Sequence, residues 1–160
     1  MLIRWVRGES EKQGTMTCLR ADGSSTWQKS TDYFVYHDLV HYAVETTLGY
    51  RQAFLGLVAQ GRDLDSFGTQ NGVRDTYTPE VYWAEEIAAI VQLPDYSGGP
   101  PLTDAELHTL LMEGCEARGV VPPAITTEQL GTIRACAREL HARWAQIPEG
   151  GVLELIFPPV

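Results

Sequence analysis

Apolar and polar positions alternate with a period of two over the first thirty residues, and then the period becomes helical. Leu2 to Arg7 reads as a strand, with Leu2, Ile3, Trp5 and Val6 as β-formers and arginine interleaved. Gly8 to Gly14 is polar and reads as a loop. Thr15 to Arg20 is a second strand, and the Asp22-Gly23 turn leads into a third, Ser25 to Lys29, around Trp27. Tyr36 to Thr46 is a helix, with Ser30, Thr31 or Asp32 upstream as caps. Gly49 interrupts it, and Arg51 to Gln60 continues as a helix with Gly61 at its C-terminal cap. Arg62 to Tyr77 reads as a polar connector.

Thr78-Pro79 opens a helix over Glu80 to Gln92, and Pro94 to Pro101 reads as a loop. Thr103 with Glu106, and Thr126 with Gln129, are two capping boxes, each starting a helix. The second of these helices carries the clearest stripe in the chain: Leu130, Ile133, Ala137, Leu140, Trp144 and Ile147. Pro148 and Gly150-Gly151 end it. Val152 to Phe157 is a last strand, closed by Pro158-Pro159, and its apolar character requires a return to the N-terminal meander. The pattern predicts an α+β fold: a small antiparallel sheet, made of the N-terminal meander and the C-terminal strand, packed on one face against about five helices. Trp5, Trp27 and Trp144 fall in positions that read as core.

Composition narrows the possible functions. The chain has 160 residues, a length suited to a single domain spanning 1–160, and is 44 % hydrophobic. Twelve basic residues face twenty-one acidic ones, a formal net charge of −9. That field repels phosphate backbones and anionic membrane surfaces, so no nucleic acid and no membrane is expected as partner. A protein partner or a small-molecule ligand remains. Cys18, Cys115 and Cys136 are odd in number, widely spaced and without a CxxC pair. This excludes a disulfide framework and a cysteine-rich zinc site; three free thiols in a reducing cytosol are expected. The N-terminal segment lacks the apolar run of a signal peptide, and no stretch approaches the ~20 apolar residues of a membrane span. Cytoplasmic localisation is the expectation. No GxGxxG, GxxxxGK[ST] or GxSxG motif occurs. The loop Gly61 to Gly72 has Asp63, Asp65 and Asn71 but lacks the spacing and the final Glu of a calcium loop, and reads as a mobile connector.

One segment, YHDLVHYAVE, carries candidate chemistry. His37, His41 and Glu45 are four residues apart and drift by about 40° per step, so they form one helical stripe. Two imidazoles at i and i+4 can share one divalent ion, as in the HExxH zinc enzymes. Asp38 takes the place of that motif's general base, with a side chain one methylene shorter. The flanking residues are apolar on nearly every side, which predicts a central helix whose polar groups must be satisfied by a metal or by a hydrogen-bonded network. The stripe climbs about 12 Å from first residue to last, too far for three good ligands from one helix. A further ligand from another segment is expected, with His141 or Glu86 as candidates and Glu45 as third ligand or as acceptor for a histidine N–H. The Glu85-Glu86 pair lies on a helix from which a carboxylate can face the histidines, but solvent is the simpler destination.

The block HDLVHYAVE, preceded by Ala21-Asp22-Gly23 and followed by Leu48-Gly49 and Phe54-Leu55-Gly56, resembles a family of uncharacterised bacterial proteins. The resemblance covers mainly residues 1 to 61 and implies no activity. A more distant similarity is to the coenzyme Q assembly proteins, whose metal motif begins His-Asp-x-x-His. That motif continues with a Glu twelve residues after the second His; here the position is Ala53, so the match stops at His37, Asp38 and His41. It implies metal binding and carries over no substrate. Two functional readings result. One is a non-catalytic interaction or regulatory domain with a structural His/Glu stripe, and the sequence leans towards it. The other is a protein of zinc or another divalent metal, a metal-dependent hydrolase or lyase with His37, His41 and Glu45 at the metal and Asp38 in a catalytic role.

Overall fold

The computed structural model describes residues 1–9, 12–67, 69–70, 73–74 and 77–158, with 69–70, 73–74 and 94–97 as backbone. Residues 10 and 11 of the expected Gly8–Gly14 loop, Asn71 and Gly72 of the polar connector, and Pro159 lie outside the described residues. Three strands open the chain: β1 (Leu2–Val6), β2 (Gly14–Leu19) and β3 (Ser25–Ser30). Then come α1 (Asp32–Leu48), α2 (Phe54–Ala59), a 3-10 turn at Leu64–Ser66 and a two-residue ladder of β4 (Thr69–Gln70) with β5 (Val73–Arg74). The helices α3 (Pro79–Ser97), α4 (Asp104–Ala117) and α5 (Thr127–Gln146) follow, and β6 (Val152–Ile156) closes the chain.

The main sheet is antiparallel with order β3-β2-β1-β6, so the last strand returns to the first. Register sets which side chains meet. Ile3 pairs with Cys18 and Leu155, Trp5 with Met16 and Leu153, and all six are buried. The same parity corrects one expectation. Cys18 opposite Thr26 turns Thr26 and Ser30 inward and leaves Trp27 outward, 62 % exposed. Trp5 and Trp144 are fully buried, as the pattern requires.

All the helices lie on one side of the sheet, in two layers. α1 and α5 are the shared layer. Val35 and Leu39 of α1 and Leu140 and Trp144 of α5 join the sheet-side core. Val40, Ala43 and Val44 of α1 and Leu130, Ile133 and Ala137 of α5 join a second core with α3 and α4. α1 is therefore buried from both sides, which explains its lack of a polar face.

Both predicted capping boxes form, at Thr103/Glu106 and Thr126/Gln129. Two helix boundaries differ from expectation. Residues 51–53 do not join α2: the Leu55 and Gly56 N–H groups, which a longer helix would give to the Arg51 and Gln52 carbonyls, go to the Glu45 carboxylate at 3.1 and 2.9 Å. α3 runs through Pro94 to Ser97 instead of ending at Gln92; a proline there forfeits one hydrogen bond without ending the helix. The three cysteines are free thiols; Cys18 and Cys115 are buried and Cys136 is half-buried. Among the described residues no helix is long and apolar enough to cross a membrane.

Candidate metal centre

α1 presents His37 and His41 towards α3, and α3 answers with Glu85 and Gln92, seven residues apart on one face. The two imidazole Nε2 atoms face each other at 3.1 Å. Glu85 spans both, with Oε2 3.6 Å from His37 Nε2 and Oε1 3.5 Å from His41 Nε2. One ligand atom from each of the three residues fits within 4.8 Å of the others. Tetrahedral zinc with bonds of 2.0–2.1 Å separates its ligand atoms by about 3.3 Å, so the three spacings bracket that value. His41 is buried, His37 is partly exposed and Glu85 is half exposed, which leaves the cluster open towards solvent on the Glu85 side.

The outer nitrogen of His37 fixes its tautomer. His37 Nδ1–H donates to Gln92 Oε1 at 2.8 Å, and Gln92 is itself buried. That leaves the His37 Nε2 lone pair turned into the cluster. On the far side of the other ring, His41 Nδ1 lies 3.5 Å from Glu45 Oε1, outside good hydrogen-bond geometry. With its proton on that side, His41 also offers an Nε2 lone pair. Two imidazole nitrogens and a carboxylate converge, an arrangement that a metal ion or a shared proton satisfies. Phe54 stands against the His41 ring edge-on, with centroids 5.6 Å apart, and Phe67 against Phe54 at 5.0 Å.

Glu45 belongs to the support and not to the convergent set. Gly49, in the left-handed region at φ 69°, ends α1 and turns the chain back, and Tyr50 N–H bonds the Glu45 carbonyl. α2 then starts directly over the Glu45 side chain. Its cap residue, Ala53, has no side-chain acceptor to offer. The Glu45 carboxylate supplies one from a neighbouring helix, accepting Leu55 N–H at 3.1 Å and Gly56 N–H at 2.9 Å. Position 56 has to be glycine, since a Cβ there would lie 2.4 Å from the Arg51 carbonyl oxygen. Of the two roles expected for Glu45, acceptor beside a histidine N–H is the one its position fits.

The other sequence candidates lie elsewhere. Asp38 sits on the sheet side of the stripe, buried, with Oδ2 lacking a hydrogen-bond partner. Burial pushes its carboxyl up to about 6, against the pull of His41, His37 and the Trp5 indole. It is not among the converging groups, so the geometry offers it no place as the motif's base. His141 donates Nε2–H to the Tyr36 carbonyl at 2.9 Å, and Glu86 pairs with Arg118 at 2.9 Å; neither reaches the cluster. Glu85, for which solvent was the simpler expectation, reaches it instead. Gln92 carried a readable signal: a polar residue on the apolar stripe of Ala84 and Ala88 demands a partner.

The charges of the cluster are coupled. Burial disfavours the charged form of His41, but Glu45 and Glu85 outweigh it and push its imidazole up to about 10. Burial raises the Glu85 carboxyl, yet His37 and His41 hold it well below the usual carboxylate range. Comparison with protein-family models, curated proteins and solved structures returns no match for this chain.

Proposed function

We propose that this protein binds a divalent ion of the zinc class through His37 Nε2, His41 Nε2 and the Glu85 carboxylate. The carrying observation is the pair of Nε2 atoms at 3.1 Å with a carboxylate across both, the His37 ring held by Gln92 at its outer nitrogen and the Glu45 carboxylate 3.5 Å behind that of His41. Three protein ligands are the complement of a catalytic zinc site, which keeps a position for water. A bound ion would supply an activated water or polarise a carbonyl, the chemistry of a hydrolase or lyase. This chain's own residues orient the ligands: Gln92 holds His37, and Glu45 stands behind His41. The half-exposed Glu85 gives the site its access to solvent.

The competing arrangement is a metal-free network in which one proton is shared between the imidazoles, as in a structural His/Glu stripe. Thermal melts with zinc and with a chelator separate the two for the wild type, His41→Ala and Glu85→Gln. Zinc at about one hundred times its Kd should stabilise the wild type by about 2.7 kcal/mol, or about 5–10 °C in Tm. Both variants should lose this shift, and Glu85→Gln, altered at a half-exposed side chain, should still fold. Equal curves with zinc and chelator in the wild type overturn the metal reading.

A further inference from the structure

A second recess lies in the helical layer, away from the metal ligands. Between α3, the start of α4 and α5 is a cavity of about 150 Å³. Ile90, Val91, Leu107 and Ala137 give it an apolar wall. Its charged and titratable lining comes from a single stripe of α5: Arg134, Arg138 and His141, at i, i+4 and i+7. In a chain with 12 basic and 21 acidic residues, two arginines at one small apolar recess need an explanation.

The three side chains are not equally engaged. Arg134 is fixed: one guanidinium nitrogen donates to the Leu102 carbonyl at 2.7 Å, and another lies 3.3 Å from Asp104. Its Nε is buried without an acceptor. His141 is committed through Nε2 to the Tyr36 carbonyl. Arg138 is exposed and forms no hydrogen bond or ion pair among the described residues. The recess thus combines an apolar body, one positive charge offset by Asp104, and one guanidinium with all its donors available.

We propose that this cavity binds a small monocarboxylate with a compact apolar body, of the size of benzoate. A cavity near 150 Å³ holds a benzene-sized group. The planar fork of Arg138 matches a carboxylate with two parallel hydrogen bonds, and Arg134 adds a second positive charge at the same wall. A neutral ligand leaves the guanidinium unmatched, and inorganic phosphate leaves the apolar wall unfilled. The recess touches the metal centre's supports, since Val91 precedes Gln92 and His141 holds the carbonyl next to His37. The proposal does not require the metal.

The test is calorimetric titration of the full chain, in chelator-containing buffer, with benzoate, benzamide and inorganic phosphate. Benzoate should bind saturably, with benzamide and phosphate each about tenfold weaker or worse. Arg138→Gln, an exposed change, should weaken benzoate about tenfold or more and leave benzamide unaltered. Val91→Phe, which fills the recess, should remove benzoate binding while the circular dichroism spectrum stays native; if that variant does not fold, the Arg138→Gln comparison still decides. Absence of saturable benzoate binding, equal affinity for benzoate and benzamide, or an unaffected Arg138→Gln variant overturns the proposal.

Discussion

Removing the Glu45 carboxylate should unfold this protein more readily than almost any other single polar change. The side chain is about 1 % exposed and holds two backbone donors at the start of α2, at 3.1 and 2.9 Å. Hydrogen bonds to a charged acceptor contribute about 1.5–3 kcal/mol each, so the pair is worth about 3–6 kcal/mol. Relief from burying the carboxylate offsets part of this, and the orphaned N–H groups add to the loss. Glu45→Ala should therefore cost about 3–5 kcal/mol, a large share of the ~5–15 kcal/mol of a typical domain. In Tm this is a fall of about 6–20 °C. Glu45→Gln should lie between, because its amide keeps one acceptor oxygen and sets an NH2 group against the other donor. The assay is urea and thermal unfolding followed by tryptophan fluorescence, in chelator so that no ion contributes. A loss below about 1 kcal/mol for Glu45→Ala, or a glutamine variant as stable as the wild type, refutes the view that this carboxylate caps α2 from outside.

Trp144 is fully buried where α5 meets the sheet, with the Arg7 guanidinium 5.3 Å over its ring; Trp144→Ala should cost about 3–5 kcal/mol in urea unfolding, and a loss under about 1 kcal/mol would place the ring outside the core. Asp38 gives a pH test. Its carboxyl is raised from 3.8 to about 6 in the folded state, so between those values the native protein binds more protons than the unfolded chain. The stability linked to this group is full below about pH 4 and is lost as pH rises through about 6, by as much as about 3 kcal/mol. Asp38→Asn should remove that dependence and raise Tm at pH 7.5 more than at pH 4; a variant that melts below the wild type at pH 7.5 contradicts the sign.

Much of the architecture was legible because it is written in local signals. The alternation in β1 and β2, the two capping boxes, and the stripe from Leu130 to Trp144 each specify an element through interactions within a few residues. The apolar β6 had to find a sheet, and the meander was the available one. The errors arose where a distant group decided. Trp27 is aromatic and in a strand, but which face it takes depends on the register of β3 against β2. α2 begins at Phe54 because Glu45, from another helix, takes the Leu55 and Gly56 N–H groups that an earlier start would have bonded to residues 51 and 52.

The same division runs through the site. Spacing alone placed His37, His41 and Glu45 on one stripe of a buried helix, and burial alone required that they be satisfied. Spacing could not say which direction each side chain would be met from. The turn at Gly49 brings two bare N–H groups over Glu45 and draws it into capping, so the nearest carboxylate in sequence is not the one that converges. That place goes to Glu85, and Gln92 sets the tautomer of His37, because the packing of α3 on α1 brings their common face to the histidines. A helical period fixes the angle of a residue about its own axis. Which residue of another helix stands opposite depends on how the two helices cross, and that is decided only when the whole core packs.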